Sequence, residues 1–401
     1  MPSRSKKESQ HLTPHRDLME HAALAVLRQA EAGLPGMSAW LTGRVQKEPV
    51  RIYDINGALL FLDYPVARGS DTFGYVRTAA SQVIGTPVLA IEMGPRSWNF
   101  DQAVRRLQPR VKKEFPGARL SNPLLVCYSY PKLGVMFMIE GEGQLRVIYD
   151  VADLARITDR PERPENESSY AWSFYGAISD EDRRTRLRRF KAADRARLAI
   201  ASRVRTQLVS ARTLASAASK VALRFSRTTT KLLQFCSHYA YNAARGHHCF
   251  SLHGQQVNDY CAVATCQMIL CYYRYYFSQD QIAPACGYSA GGGCPADQSP
   301  GYESMSCNHI DATFDNAATW QKARDQIDQL RPLKSGVPGH ARACAGYSRT
   351  VWTFGGTTEE KLYIYDPWPW NADFAVAGTV MWEDWDSITH TNYVYTRIDC
   401  P

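Results

Sequence analysis

The sequence predicts an α+β fold in which helices and antiparallel strands occupy separate stretches of the chain. Three observations predict it. Asn56-Gly57 stands between two apolar, alternating runs, the strongest short-range mark of a β-hairpin. An arginine-dense central segment carries small and apolar residues at heptad spacing, the mark of a long helix. Beyond it, an apolar helical run from Val263 to Leu270 precedes aromatic and β-branched segments stopped by turn residues. The chain has 401 residues, 45% hydrophobic and 11% aromatic, which is material for two or three domains with proper cores.

Residues 1–15 read as a basic, disordered tail and residues 16–157 as an α+β module. Pro14 to Ala32 sets Leu18, Met19, Ala22, Ala23, Ala25, Val26 and Ala30 near helical spacing and stops at Gly33. The stretch VRIYDINGALLFLDYPV is the hairpin. A further strand is expected over Phe73 to Thr78, a buried strand over VIGTPVLAIEM, and a basic amphipathic helix from about Phe100 to Phe115. LLVCYSYPKLGVMFMIE adds a strand pair around Pro131 and Gly134, and QLRVIYDV completes the sheet. No grouping of nucleophile, base and orienter occurs here, and the lone Cys127 reads as core.

At Thr158 the composition changes, because RPERPENESS is a charged, proline-bearing linker; residues 158–248 read as linker and basic helix. From Arg183 to Lys231 fifteen Lys and Arg stand against one acid, Asp194. That is a net +14, which leaves about −6 for the rest against the total of +8. Ala201, Val204, Leu208, Ala211, Ala215, Ala218, Ala222 and Phe225 form a narrow seam in steps of three and four. Such a helix can pack on a neighbouring domain, meet an acidic partner, or lie on an anionic membrane surface. No series of stacking aromatics interleaves the arginines, which argues against nucleic acid.

The chemistry is expected in residues 249–401. QQVNDYCAVATCQMIL, Gln255 to Leu270, puts Cys261 at the start of an apolar helix, where free N–H groups and the helix dipole favour a thiolate. Ala262 and Ala264 let the helix end approach a substrate closely. Six residues upstream of the cysteine, Gln255 can aim its amide at a developing oxyanion beside the cysteine's own N–H, with Gln256 as the adjacent alternative. A thiol nucleophile needs a base and an orienter for it. The best downstream matches are His340 in GVPGHARACAGY and Asp366 in LYIYDPWPWN, each at or in an expected strand.

The order Gln, Cys, His, Asp resembles the papain-like cysteine peptidases, and within them the bacteriocin-leader peptidase branch and related bacterial effector-type peptidases. The residues that carry it are Gln255 and Cys261, Gly339-His340-Ala341 with Gly346-Tyr347, and Tyr365-Asp366-Pro367-Trp368, over roughly Cys249 to Cys400. The resemblance implies a papain-like catalytic domain with Cys261 as nucleophile, His340 as general base and acid, Asp366 as orienter and Gln255 as oxyanion donor. Ala262 departs from relatives that carry Trp or Gly there. YDINGALLFLDYPV with GYVRTAASQVIGTPVLAIE resembles the propeptide domain of streptopain-type peptidases. It implies an inhibitory or chaperone-like N-terminal domain, in a chain held as a zymogen or regulated by that domain; the other reading is a substrate- or partner-binding α+β module. The arginine-dense segment just ahead of the catalytic region is a place for proteolytic release.

The expected function is therefore a cysteine endopeptidase acting on protein or peptide substrates. The rivals are a non-catalytic binding protein on a papain-like scaffold and a transglutaminase-like acyl transferase. No cofactor is implied. His247-His248-Cys249 with His253 lacks the paired spacing of a zinc site, and the GGG run lacks the residues of a phosphate loop. Ten of eleven cysteines lie between Cys236 and Cys400. Cys286, Cys294 and Cys307 fall in a glycine-rich stretch expected to be irregular, while Cys266 and Cys271 read as core. No secretory signal or membrane span is visible. A reducing cytoplasm is expected, with export by another route left open.

Overall fold

The structure is a computed structural model that describes residues 11–140, 145–160, 166–167, 169–208, 213–218, 225–233, 241–242, 247–248, 250–352, 358–370 and 377–398. Among these, no helix is long and apolar enough to cross a membrane.

The N-terminal module begins with α1 (His15–Glu31), which has Asp17 in its first turn and buries Leu18, Ala22 and Val26 at four-residue steps. Gly33 takes φ +70° just past its end, a conformation that favours glycine. The segment expected as a disordered tail is outside the described residues up to 10. From residue 11 it is tied to the fold: Thr13 donates its N–H to Ala80 O at 2.9 Å.

The predicted hairpin forms as β1 (Val50–Asp54) and β2 (Leu59–Arg68), with Gly57 at φ +84° in the turn. β3 (Asp71–Ala79) and β4 (Val88–Met93) continue the antiparallel order. Val83 and Ile84, expected as part of that last strand, instead belong to a short 3-10 helix, Gln82–Ile84, ending at Gly85. α2 (Phe100–Glu114) is capped by Asn99, whose side chain accepts the Gln102 N–H at 2.9 Å, and buries Ala103, Leu107 and Val111. β5 (Leu124–Ser129), β6 (Lys132–Glu140) and β7 (Leu145–Asp150) complete the module, β5 running parallel to β1. Trp172, Phe174, Tyr175 and Ile178 also pack into this core, well past the linker expected from residue 158.

α3 (Asp180–Leu208) is the basic helix. Its Phe190 is buried, and Arg197 is buried in ion pairs with Asp17, Glu20 and Asp194 that tie it to α1. The heptad seam does not run to Phe225, because that residue opens β8 (Phe225–Leu232), a strand on the sheet edge; residues 209–212 and 219–224 are outside the described residues.

The C-terminal region opens with α4 (Cys261–Tyr272), in which ten of twelve residues are buried, so the helix is a core element on every side. The glycine-rich stretch is more regular than expected: Ser299–Met305 is helical and Cys294–Pro295 pairs with Asn166–Glu167. Strands β9 (Ile310–Asp315), β10 (Leu333–Val337), β11 (His340–Trp352), β12 (Thr358–Asp366), β13 (Thr379–Asp384) and β14 (Asn392–Ile398) form the antiparallel part of the sheet, and α5 (Trp320–Asp328) packs beside it.

The two regions share one sheet. β4 pairs antiparallel with β13, Val380 opposite Met93 through Glu383 opposite Ala90, so backbone hydrogen bonds run from the first hairpin to the C-terminal strands. One continuous core likewise extends from Leu18 and Phe61 to Ile269 and Trp382.

Candidate active site

Three of the four predicted site residues sit at the ends of regular elements. Cys261 is the first residue of α4, His340 the first of β11, and Asp366 the last of β12. β11 and β12 are antiparallel neighbours, with Ala343 opposite Tyr365, so the start of one lies beside the end of the other. His340 Nε2 meets Asp366 Oδ1 at 2.8 Å, with both side chains fully buried.

An ionised carboxylate only accepts, so this contact assigns the imidazole proton to Nε2. Nδ1 is then the basic nitrogen, and it has no hydrogen-bond partner among the described residues. Asp366 Oδ1 also accepts the Trp368 N–H at 2.8 Å, which fixes the carboxylate from the other side. Burial pushes the His340 pKa down to about 4; Asp366 opposes that shift, and Lys132 and Arg342 add to it. The ring is therefore neutral at physiological pH, a base able to take a proton.

α4 packs directly on β11. Phe250 bridges α4 and β12, its ring 4.8 Å from that of Tyr365 on β12 and 6.0 Å from that of Tyr272 on α4. Cys261 is buried, and no side chain caps the helix end, so first-turn N–H groups are not consumed by a cap. Asp259 accepts the Tyr288 hydroxyl at 3.0 Å and the Gly291 N–H at 3.0 Å.

Gln255 is buried one loop away. Its backbone N–H donates to Pro367 O at 3.0 Å, joining the segment before the cysteine to the residue after Asp366. Its side-chain amide nitrogen donates to the Val257 carbonyl at 3.1 Å and to that of Asn258, so both donors are engaged within the loop. Gln256 is bound through its backbone, to Gln279 Oε1 and to the Trp370 indole.

The surroundings include residues that sequence reasoning did not single out. Lys132, at the start of β6, is fully buried and donates to Ser169 Oγ at 2.7 Å and toward Gly339 O at 3.4 Å. Asp150 accepts the Trp368 indole N–H at 2.9 Å. Arg342 and Glu383 form a buried bidentate pair, with Nη2 and Oε1 3.0 Å apart. In sequence these are ordinary charged residues in strands, and nothing in their neighbours marks them as buried.

His247, His248 and Cys249 contribute no described side chains, and His253 Nε2 lies 3.4 Å from Ser251 Oγ. No group of metal-ligating side chains occurs among the described residues. Cys266, Cys271, Cys286 and Cys307 are free thiols.

A buried imidazole held by a carboxylate opens the strand on which the helix beginning with Cys261 packs, and the mixed helix and sheet architecture is consistent with a papain-like cysteine peptidase domain. The family model described as "Peptidase_C39 like family" matches residues 247–391 and supports that class for this part of the chain. No curated protein matches the chain. A solved structure described as "Crystal structure of UfSP from C.elegans" is similar at 14% identity and a TM-score of 0.27, covering 43% of this chain and 34% of that one. The aligned part thus spans about a third of that protein, and the likeness carries no argument here.

Proposed function

We propose that the protein is a cysteine endopeptidase in which Cys261 attacks a peptide carbonyl, His340 moves the protons and Asp366 orients His340. The observation that carries the reading is the buried 2.8 Å contact between His340 Nε2 and Asp366 Oδ1. It leaves Nδ1 as the one ring nitrogen able to accept a proton.

In this reading the thiol proton passes to Nδ1 as sulfur bonds to the carbonyl carbon. The same proton is then delivered to the leaving amine, and water, deprotonated by the imidazole, releases the acyl group from the thioester. The Cys261 N–H stabilises the oxyanion. Gln255 joins it once its amide turns from the Val257 and Asn258 carbonyls.

The substrate is a protein or peptide. In this reading the N-terminal module, whose sequence shows no grouping of nucleophile, base and orienter, regulates the site. An acidic partner or anionic surface would meet Arg184, Arg188, Lys191 and Arg195, which form one exposed stripe of α3.

The test is iodoacetamide labelling of Cys261 at mildly acidic pH, in the wild type and in His340→Ala. Fast labelling that needs His340 supports the assignment, and equally slow labelling of both favours a binding scaffold. A transglutaminase-like acyl transferase would label as fast but would incorporate an added amine into a peptide substrate.

A further inference from the structure

The N-terminal module reaches the candidate catalytic pair at two points. At the first, the tip of the β5–β6 hairpin grips the turn that leads into His340. Ser129 Oγ donates to Pro338 O at 3.3 Å, the Trp172 indole N–H reaches the same carbonyl at 3.2 Å and Ser129 Oγ at 3.0 Å, and Lys132 Nζ points at Gly339 O. At the second, Asp150 Oδ2 accepts the Trp368 indole at 2.9 Å and the Tyr128 hydroxyl at 2.7 Å, while Asp150 Oδ1 accepts the Ala152 N–H at 2.7 Å. Trp368 in turn holds Asp366 Oδ1 through its backbone N–H. The chain of contacts therefore runs Asp150, Trp368, Asp366, His340, and every member is buried.

We infer that Asp150 and Lys132 are positioning residues for the His340–Asp366 pair, so that the N-terminal module is a lasting part of the catalytic centre and not a segment to be shed. The inference rests on the proposed catalytic role of that pair and specifies how the module governs it.

Two further observations fit a lasting attachment. The β4–β13 ladder would be broken by release, exposing an unpaired strand edge in the body that carries the site. The Arg28–Glu359 pair at 3.0 Å and the Arg189–Asp386 pair at 2.8 Å would also open. Losing the module would leave the Trp368 indole and two turn carbonyls without their partners, at a cost to the geometry of the residues between them.

Lys132 adds a charge effect to its geometric one. His340 is faced by Asp366 on β12, by Lys132 on β6, and by Arg342 on its own strand, which is neutralised by Glu383 on β13. Asp153 also interacts with Lys132, and it is pushed up to about 7 by burial and by Asp150. The thiol of Cys261 opens the helix packed on β11. Among these groups Lys132 is the cation with no carboxylate bonded to it, so it disfavours the imidazolium.

The test uses the full chain and the rate of iodoacetamide labelling at Cys261 as a function of pH, with thermal unfolding to show that each variant is folded. Asp150→Ala and Trp368→Phe are expected to slow labelling tenfold or more. Asp150→Asn, which keeps an acceptor for the indole, should recover most of that loss. Lys132→Met should move the acid limb of the profile upward by half a pH unit or more, which a merely structural change would not do. Fast wild-type labelling with rates and acid limb unchanged in Asp150→Ala and Lys132→Met overturns the inference while leaving the peptidase reading intact. Slow wild-type labelling indifferent to His340 overturns that reading and the inference with it.

Discussion

Gln255 donates its backbone N–H to Pro367 O at 3.0 Å, so the segment that leads into Cys261 is fastened to the residue directly after Asp366. Space at that seam is tight. A Cβ on Gly254 would lie 2.1 Å from Cβ of Ala377, and one on Gly378, already at φ +82°, would lie 2.9 Å from Asp366 O. Both glycines serve close approach of one backbone to another.

Gly254→Ala should therefore force the two segments apart. The expected cost is about 1–3 kcal/mol of stability from overpacking, with a larger loss at the site, because His340, Asp366 and Cys261 are registered through this seam. Thermal unfolding and the Cys261 labelling rate, measured on the same sample, check it. Labelling at the wild-type rate would show that the seam does not set the geometry.

The buried imidazole gives a pH dependence with a definite sign. His340 is neutral above about pH 4, so its activity as a base should persist through the mildly acidic range and fail as pH drops through that value. Stability moves the same way. The ring takes up its proton near 6.5 when unfolded and near 4 when folded, so the unfolded state binds more protons between those values. Acidification across that window should cost up to about 3 kcal/mol from this residue. His390 and His21, also held low by burial, act in the same direction. Denaturant melts at a series of pH values, wild type against His340→Gln, should show a shallower loss in the variant.

Gln255 holds both amide hydrogens on loop carbonyls, so a role as oxyanion donor requires the amide to turn during the reaction. Gln255→Ala should then lower kcat about a hundredfold with KM little changed, the pattern of an interaction made only in the transition state. Steady-state kinetics on a cleaved peptide checks it. An unchanged kcat would leave the Cys261 N–H as the donor without Gln255.

The N-terminal module has its own buried charge cluster. Asp63 is fully buried with Arg77, whose Nη2 lies 2.8 Å away, and with Arg96; burial works to raise the carboxyl, but the two guanidinium groups outweigh it and hold it below its usual range. Removing one partner leaves buried charge uncompensated, so Asp63→Ala should cost about 3–5 kcal/mol. Replacing Asp63 and Arg77 together by apolar residues should cost less. Denaturant midpoints of the single and double variants decide it.

Much of the local structure was legible in sequence because it depends on local chemistry. The Asn56-Gly57 turn, the Gly33 stop, the apolar steps of α1 and the amphipathic pattern of α2 need no knowledge of the rest of the chain. The pairing of His340 with Asp366 was reachable because each stands at the mouth of its own strand, and turn residues mark such places. The junction between the regions was not legible. The β4–β13 ladder joins residues nearly three hundred positions apart, and no periodicity within either strand names its partner. For the same reason Lys132 and Asp150 do not stand out in the sequence. Their burial comes from packing against Gly339 and Trp368 and leaves no trace in their own neighbours. The seam continued to Phe225 on spacing alone, but that residue lies where the chain pairs with β11.

The most direct test of the account is the rate at which iodoacetamide labels Cys261 at mildly acidic pH, in the full-length protein beside its His340→Ala variant. An unassisted thiol with a pKa of about 8.5 is almost wholly protonated there and reacts slowly. The account predicts fast labelling in the wild type and a fall of about a hundredfold or more in the variant. Equal, slow labelling of both would contradict it and leave a papain-like scaffold without the chemistry.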